Sequence, residues 1–238
     1  MNSTLTHIES YIDASPILVA VDNVIFGFDP VEEKLKILLF KRRVDPEAGK
    51  WSLIGSFIQE GESGAQAAIR ILQKFTGLKD VFLEQFKTYS DANRDPGARV
   101  ISIGYYSLIR ISEENTKLIE AYDAQWFEIN SIPDLAVDHH RIVKDAQLLL
   151  KNNAIQRPIG FNLLPEEFTL PKLLKLYKEI LQEPLDDRNF RKKILSAGFL
   201  RKLDKKDKTT SKKGAFLYQF DSEKYFELVK NGYSQSMV

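Results

Sequence analysis

The chain contains no cysteine among its 238 residues, and its 34 basic and 33 acidic side chains almost cancel. The missing thiols exclude disulfides, thiolate nucleophiles and cysteine-ligated zinc or iron–sulfur sites. This usage fits a cytoplasmic protein, which is the location we expect. Hydrophobic residues make up 43 % of the chain and charged residues 28 %, a composition typical of folded globular proteins and not of disordered ones.

Long hydrophobic runs are also absent. The most apolar stretch, residues 17–28, is broken by Asp22 and Asn23 and is shorter than the roughly 20 residues that cross a bilayer. Residues 1–15 are polar and contain two carboxylates where a signal peptide needs an apolar core. We therefore expect no secretion signal, no membrane segment and no membrane partner.

The first 150 residues have the pattern of a mixed α/β domain. Residues 17–28 and 35–42 are rich in Val, Ile, Leu and Phe and flank Asp29 and Pro30, which predicts a β-hairpin. Further strands are predicted at residues 81–88, 99–110 and 125–129, and a helix at residues 142–150.

A Gly-rich loop at residues 51–61 precedes the first predicted helix, where apolar residues recur at helical spacing from 65 to 75. Ser63 and Gln66 have the spacing of a capping box at its start. Gly77 stands where a C-cap belongs. We place the end of this domain at residue 153, and a second domain at residues 154–238.

Charge is distributed unevenly between these two parts. Residues 1–150 hold 16 basic and 22 acidic side chains, a formal charge of −6, whereas residues 151–238 hold 18 and 11, a charge of +7. Residues 188–214 alone carry eleven Lys or Arg against two Asp. A positive field of that density attracts phosphate, although a lysine-rich run taken alone is also typical of a solvated loop.

The second part has the order of elements of a winged helix. An apolar stripe from Leu170 to Leu181 predicts one helix, and Asp186 can cap a second helix that ends near Ala197. In the second helix, Phe190, Ile194 and Leu195 are expected to face the core. Residues 199–203 and 215–220 then form two strands around a basic loop, which predicts a wing.

Arg can pair bidentately with guanine and Asn with adenine, whereas Lys mainly contacts phosphate. The predicted DNA contacts therefore comprise the polar face of the second helix and the wing: Arg188, Asn189, Arg191, Lys192, Lys193, Lys205, Lys206, Lys208, Thr209, Thr210, Ser211, Lys212 and Lys213. We expect double-stranded DNA as the partner.

The Gly-rich loop and its helix resemble the signature of the Nudix hydrolases, G-x5-E-x7-R-E-U-x-E-E-x-G-U, where U is aliphatic. One ungapped register keeps Glu62, Arg70, Leu72, Gly77 and Leu78 and replaces the opening glycine by a serine. The resemblance implies a Nudix-like α/β/α sandwich, here followed by a winged helix-turn-helix domain.

The departures from this signature concern the metal site. The three helix glutamates that hold Mg²⁺ in active members of the family fall on Ile71, Lys74 and Phe75. A divalent ion that bridges a diphosphate needs several carboxylate oxygens on this helical face. We therefore expect no catalytic residues, no bound metal, no cofactor and no pyrophosphohydrolase activity, and a concave site that binds a small molecule without converting it.

The two halves together resemble the Nudix-related transcriptional regulators. Residues 168–177 and 187–193 look like the DNA-binding signature of that family. Within it, the sequence looks most similar to the arabinose-responsive AraR-type branch, with the NrtR-type regulators of NAD metabolism as relatives. The resemblance implies a homodimeric repressor on a palindromic operator, released by a small-molecule effector such as a pentose sugar, most simply L-arabinose, with ADP-ribose as the alternative.

Loss of the metal carboxylates removes the usual anchor of a diphosphate, which favours a neutral sugar, but basic residues can also hold ADP-ribose without metal. Both effectors stay open on the sequence. The expected effector-binding residues are polar or aromatic side chains around the remnant motif: Lys41, Arg43, Trp51, Gln85, Tyr89, Asp95, Arg99 and Tyr105. His139 and His140 precede a helix and are interpreted as structural.

Two hypotheses from other classes fit the same residues. The chain could be a divergent Nudix hydrolase whose basic tail binds a nucleic acid, which would release product from ADP-ribose in Mg²⁺. It could also be a metabolite-binding module whose basic domain docks onto an acidic protein, which would show no preference among DNA sequences.

Overall fold

A computed structural model describes residues 15–79, 81–209, 213–232 and 236–238. The polar N-terminal segment therefore lies outside the described residues, as do Thr210, Ser211 and Lys212 of the predicted wing. Among the described residues, none of the helices has the length and apolarity needed to span a membrane.

The first domain is built on a mixed seven-stranded sheet. Its strands are β1 (Leu18–Asp29), β2 (Lys34–Lys41), β3 (Trp51–Ser52), β4 (Ile54–Phe57), β5 (Phe82–Tyr89), β6 (Val100–Arg110) and β7 (Ala124–Glu128). The predicted hairpin is confirmed, because β1 pairs antiparallel with β2. Strand β1 also pairs parallel with β6 along its length and antiparallel with β4. The short strands β3 and β4 lie within the segment predicted as a Gly-rich loop.

Helix α1 (Gly64–Thr76) confirms the predicted first helix and both of its caps. The hydroxyl of Ser63 accepts the backbone N–H of Gln66, whose side chain accepts the backbone N–H of Ser63 in return. Gly77 ends the helix at φ 69°, a left-handed conformation that glycine adopts without steric cost. The amide of Asn23 donates to the carbonyl of Ala68 at 2.9 Å and ties β1 to this helix.

Helices cover both faces of the sheet, as expected for an α/β/α sandwich. Helix α1 and helix α2 (Glu113–Ala121), which the sequence pattern did not predict, pack on one face. Helix α3 (His139–Gln156) packs on the other through Ile142, Ala146 and Leu150. This helix is longer than the predicted 142–150, so the predicted boundary at residue 153 falls within its last turn.

The second domain has the expected winged helix order. After a short 3-10 turn at Ile159–Leu163, the elements are β8 (Glu167–Thr169), α4 (Leu170–Leu181), α5 (Asp187–Ser196), β9 (Leu200–Asp207), β10 (Ala215–Phe220) and α6 (Ser222–Lys230). Strand β10 pairs antiparallel with both β8 and β9. The sequence pattern did not predict β8 or α6.

Capping residues set the limits of the helix-turn-helix. The hydroxyl of Thr169 accepts from Lys172 N–H at the start of α4, and the carboxylate of Asp186 accepts from Asn189 N–H at 2.6 Å at the start of α5. Phe190 and Ile194 are buried as expected. The expectation that Leu195 faces the core is wrong, because this side chain is 45 % exposed.

One hydrophobic cluster runs without interruption from the sheet through α3 into the second domain, where it includes Tyr177, Phe190 and Phe199. Polar contacts cross the same boundary. The carboxylate of Glu179 on α4 accepts the backbone N–H of Leu35 at 3.4 Å and lies 3.5 Å from the ammonium of Lys34. Buried apolar contact of this kind restricts free movement between the domains.

Candidate functional site

The face of helix α1 that carries the metal glutamates in active Nudix enzymes has no carboxylate at those positions here. Ile71 is 2 % exposed and packs in the core beneath the helix. The ring of Phe75 lies 5.8 Å from that of Phe40 and 5.0 Å from that of Tyr122. The ammonium of Lys74 lies over the Phe75 ring. Hydrocarbon and one ammonium thus occupy the positions where a divalent cation needs oxygen.

Glu62, the acidic residue that the chain retains in this motif, is held by Arg70. Its carboxylate accepts from Arg70 Nη2 at 2.5 Å and Nε at 2.9 Å, and from the backbone N–H of Gln59 at 2.7 Å. The hydrogen bond from Arg70 lowers the pKa of Glu62. No group of three or more His, Asp or Glu suited to a metal occurs among the described residues, so the site does not fit the Mg²⁺ of the hydrolases.

A cleft opens beside this motif, between the N-terminal half of β1, strand β4 and the start of α3. Its volume is about 260 Å³, and a neighbouring cavity of about 490 Å³ shares Arg94 and Val137 with it. The polar residues that line the cleft are Asp22, Arg42, Ser52, Ser56, Arg94, Asp95 and His139. A concave site with a few converging polar groups is the usual form of a small-molecule site.

A buried ion-pair network forms the floor of this cleft. Two guanidinium nitrogens of Arg94 donate to Asp138 at 2.6 and 3.0 Å, and Nη2 lies 3.5 Å from Asp22 Oδ2. The hydroxyl of Ser102 donates to the same Asp22 oxygen at 2.5 Å. The Arg94 side chain is only 4 % exposed, so these charges are largely removed from water and depend on one another.

His139 completes the floor in its neutral form. Burial lowers the pKa of this imidazole, and Nδ1 accepts the backbone N–H of Leu53 at 3.1 Å. The proton of the neutral ring therefore lies on Nε2, which is 3.6 Å from Asp22 Oδ1. With two carboxylates and a single guanidinium, the floor has a formal excess of one negative charge, which favours ligand hydroxyl or amino groups over phosphate.

An anionic group of a ligand fits the rim of the cleft better than the floor. Arg42 lines it, and the carbonyls of Val44 and Pro46 accept from its Nε at 3.0 and 2.6 Å and fix the guanidinium there. Gly55 lets β4 approach the floor, because a Cβ at this position would overlap the Asp22 carboxylate and the Val21 carbonyl. Only a glycine leaves both groups in place.

The eight expected effector residues lie in several different places. Asp95 lines the cleft, and Arg99, in the adjoining loop, donates to the carbonyl of Asp91 at 3.2 Å. Gln85 and Tyr105 line a separate cavity of about 540 Å³ beside α1, where the Tyr105 hydroxyl donates to the Gln85 amide oxygen.

The other four residues lie outside the lining of the cleft. Lys41 is exposed at the end of β2, and Arg43 is ion-paired with Asp123 at 2.5 Å. Trp51 packs edge-on against Phe127 with the ring centroids 4.7 Å apart. Tyr89 is buried, and its hydroxyl donates to Asp145 at 2.9 Å. The structure therefore does not bring the eight side chains together.

Asp22, Arg94 and His139, which form the cleft floor, were not predicted as site residues from the sequence. Asp22 had a visible signal, since it is a carboxylate inside the most apolar stretch of the chain. A charge in a buried strand requires a partner, but the sequence did not indicate that the partner is Arg94, 72 positions away.

Asp145 on α3 offers a test of the polar contacts between this helix and β5. Burial opposes its ionisation, but hydrogen bonds from Lys87 at 2.7 Å and from Tyr89 outweigh burial and lower its pKa below the ordinary 3.8. A depressed folded pKa adds stability above the unfolded value, and this contribution is lost as pH falls through the folded pKa. We expect Asp145→Asn to lower the urea midpoint at pH 7, with the difference from the parent protein shrinking below about pH 3.8. An unchanged midpoint at pH 7 would show that these hydrogen bonds add no net stability.

Helix α5 presents several basic side chains to solvent. Arg188, Asn189, Arg191 and Lys192 are exposed, and none of the three cations has a carboxylate partner within the described part of the chain. Lys193 differs from the prediction of an outward side chain, because it is half-buried and its ammonium donates to the carbonyl of Val238 at 2.6 Å.

The described wing residues are exposed but differ in their partners. Lys205 pairs with Glu167 at 2.9 Å, and Thr209 donates from its hydroxyl and backbone to Asp207. Lys206 lies over the ring of Phe216, whereas Lys208 and Lys213 are simply exposed. A basic helix beside a basic ribbon is typical of a nucleic-acid interface.

Two sequence families match the chain. The family described as NUDIX domain matches residues 18–146. The family described as NrtR DNA-binding winged helix domain matches residues 160–220. Together they span the α/β domain and the helix-turn-helix with its wing, in the order in which the fold presents them.

Individual relatives agree with these two families. The ADPR responsive transcriptional repressor NtrR of Acinetobacter baylyi is 29 % identical over 212 residues, which cover 87 % of this chain and 84 % of the relative. The ADP-ribose pyrophosphatase of Methanocaldococcus jannaschii is 38 % identical over 127 residues, 53 % of this chain and 71 % of the relative.

The fold matches solved structures of Shewanella oneidensis NrtR. Its complex with a 27mer DNA superposes with a TM-score of 0.76 at 28 % identity, covering 85 % of this chain and 93 % of that one. The NUDIX domain of the same protein complexed with ADP ribose gives 0.53 at 26 % identity, covering 63 % and 99 %. These matches do not support the expected arabinose-responsive branch and favour the NrtR-type relatives instead.

Proposed function

The chain belongs to the Nudix family and joins its Nudix domain to a winged helix domain of the NrtR type, and from this premise we propose that it is a transcriptional repressor released from DNA by ADP-ribose. The observation that carries the proposal is the pairing of exposed arginines on α5, which have no carboxylate partner among the described residues, with a Nudix helix whose metal positions carry no carboxylate. The first feature binds DNA, and the second retains a ligand site without hydrolytic machinery.

ADP-ribose fits the polarity of the cleft better than a small sugar does. Its ribose hydroxyls suit the acidic floor at Asp22 and neutral His139, while its diphosphate suits Arg42 at the rim. The two adjoining cavities, about 260 and 490 Å³, also exceed the needs of a single pentose. The repressor from Acinetobacter baylyi supports the same effector by its description as ADPR responsive.

Helix α3 is the element that can couple the two sites. It begins at the cleft with Asp138 and His139, and its 18 residues extend about 27 Å. At its far end Lys151 pairs with Glu183 in the turn between α4 and α5, and the carbonyl of Ile155 accepts from Met237 N–H at 2.7 Å. A ligand that shifts the start of α3 would therefore displace the recognition helix, provided that it binds the two arrangements with different affinities.

We further propose that two copies of the chain bind a palindromic operator as a homodimer. A two-fold dimer would place one α5 in each of two successive major grooves, about 34 to 36 Å apart along the duplex. The operator half-sites are expected at that spacing or a multiple of it.

The proposed function is tested by fluorescence anisotropy with a labelled duplex from the DNA upstream of the gene, a scrambled duplex and a fixed salt concentration. We expect preference for the upstream duplex and release by ADP-ribose, whereas L-arabinose leaves the complex intact. Release by arabinose alone would contradict the proposed effector. Equal binding of both duplexes would contradict the repressor and favour a module that docks elsewhere.

Two neighbouring arginines provide a matched pair within this experiment. Arg42 lines the cleft, whereas Arg43 is paired with Asp123 outside it. Arg42→Ala is expected to raise the ADP-ribose concentration needed for release about tenfold, and Arg43→Ala to leave it within a factor of two, in line with one charge-assisted hydrogen bond. A larger effect of Arg43→Ala than of Arg42→Ala on this concentration would indicate that the diphosphate binds beside Arg43.

The sequence identity to the Methanocaldococcus jannaschii pyrophosphatase makes hydrolysis of ADP-ribose the second function to test. The same samples can be incubated with Mg²⁺ and analysed for AMP, with an active ADP-ribose pyrophosphatase as the positive control. We expect ADP-ribose to remain intact, because Ile71, Lys74 and Phe75 supply no metal ligand. Formation of AMP above the buffer control would overturn this part of the proposal.

A further inference from the structure

Two lysines of the wing converge on one exposed aromatic ring. The ammonium of Lys202 lies 3.6 Å from the centroid of the Phe216 ring, and that of Lys206 lies 4.5 Å from it. Phe216 is 38 % exposed, and Lys202 and Lys206 are also exposed to solvent. The sequence analysis selected Lys206 as a DNA contact but neither Lys202 nor Phe216.

The antiparallel ribbon of β9 and β10 explains this arrangement. Lys202 and Lys206 are four residues apart, an even number, so their side chains leave the same face of β9. Phe216 stands directly opposite Lys206 and Tyr218 opposite Lys202, so the pairing register shifts between Phe216 and Tyr218. Tyr218 packs against the core, whereas Phe216 supports the two lysines at the surface.

Lys202 and Lys206 differ from neighbouring lysines in their partners. Lys205 pairs with Glu167, and Lys172 lies 3.8 Å from Asp207, but neither Lys202 nor Lys206 has a carboxylate partner among the described residues. Their distances to one centroid place the two ammonium nitrogens within about 8 Å of each other. Two like charges held this close repel each other, and a bound anion relieves that repulsion.

We propose that Lys202, Phe216 and Lys206 form a preorganised contact for the DNA phosphate backbone, in which Phe216 acts as a positioning residue for both ammonium groups. The inference rests on the proposed function and adds a specific backbone-binding element to the wing. A free lysine loses side-chain freedom when it binds phosphate. Attraction to the face of the Phe216 ring restricts both side chains before DNA arrives, so less freedom is lost on binding.

The contact is nonspecific for base sequence and strongly dependent on salt. Each phosphate neutralised by a cation contributes about −0.9 to the slope of log K against log salt concentration. Lys202→Ala with Lys206→Ala is therefore expected to make the slope shallower by nearly 2 and to weaken binding to upstream and scrambled duplexes by the same factor. The matched control, Lys224→Ala with Lys230→Ala, removes two exposed charges from α6 and should leave the slope unchanged.

Phe216 is tested by a double-mutant cycle with full-length protein. Phe216→Leu keeps an apolar side chain without the aromatic face and is expected to weaken DNA binding threefold to tenfold, while Phe216→Tyr restores it. In the background without Lys202 and Lys206, the same Phe216→Leu change should have no further effect, because the residue acts through the two lysines.

Separate outcomes contradict the contact and the repressor. If Phe216→Leu also weakened DNA binding in the variant that lacks Lys202 and Lys206, the ring would have a merely structural role and the proposal would be overturned. An unchanged salt slope in the double lysine variant would overturn it as well, while sequence-preferring binding by the parent protein would leave the repressor intact. Absence of DNA binding by the parent protein would instead contradict the proposed function.

Discussion

Replacing Arg188 and Arg191 together by alanine should abolish recognition of the upstream duplex. Both side chains are exposed on α5, as is that of Asn189, whereas Phe190 and Ile194 of the same helix are buried. A bidentate pair between arginine and guanine discriminates against a wrong base by about 1 to 3 kcal/mol. Loss of two such pairs is expected to weaken binding to the upstream duplex on the order of 30-fold or more, measured by anisotropy at fixed salt.

Lysine at the same two positions separates base recognition from charge. Arg188→Lys with Arg191→Lys keeps both positive charges but loses the forked geometry that reads guanine. We expect this variant to retain the salt slope of the parent protein and to lose most of its preference for the upstream over the scrambled duplex. If the alanine variant kept its sequence preference, α5 would not be the recognition helix. Circular dichroism checks that the variants remain folded.

Removing Arg94 should strongly destabilise the protein. The guanidinium neutralises Asp138 at 2.6 and 3.0 Å and approaches Asp22 at 3.5 Å in a region with little access to water. Arg94→Ala leaves two carboxylates without their cation. Breaking a buried pair by removing one partner typically costs about 3 to 5 kcal/mol. We expect a decrease of that size in the free energy of unfolding, measured by urea titration at pH 7.

Arg43→Ala is the matched control for this experiment. Arg43 also makes a short ion pair, with Asp123 at 2.5 Å, but the two side chains are 68 % and 56 % exposed. Exposed pairs contribute about 0 to 1 kcal/mol, so this variant should unfold within about 1 kcal/mol of the parent protein. If Arg94→Ala were as mild as Arg43→Ala, water would reach the carboxylates of the cleft floor and the network would not hold the start of α3.

The sequence alone predicted the elements whose signals are local. The alternation of apolar residues predicted the first hairpin, and Ser63, Gln66 and Gly77 predicted both ends of α1, because capping depends on residues three or four positions apart. The helix-turn-helix was predicted for the same reason, since Asp186 and the stripe on α4 act within a few turns. Helix α2 and strand β8 were missed because neither has a strong pattern of its own and both depend on packing.

The replacement of the metal glutamates was also visible in the sequence, because Ile71, Lys74 and Phe75 fall at fixed positions of the motif. The cleft was not visible in this way. Its floor joins Asp22, Arg94 and His139 from three distant parts of the chain, and only the parallel pairing of β1 with β6 and the docking of α3 bring them together. The expected effector residues were chosen by chemistry near the motif, and chemistry does not specify which face of a strand a side chain occupies.

What the sequence by itself determined was the two-domain order, the limits of α1, α4 and α5 and the loss of carboxylates on the Nudix helix, all of which follow from local spacing. The tertiary structure decided which charges are buried and which remain free. Arg42 and Arg43 are chemically equivalent neighbours, yet one lines the cleft and the other pairs with Asp123. Likewise, Lys205 pairs with Glu167, whereas Lys206 lies over the ring of Phe216. Lys205 and Lys206 are adjacent on β9 and adjacent residues on a strand point to opposite faces, whereas Arg42 and Arg43 lie in the segment after β2. In both cases the partners come from elsewhere in the chain.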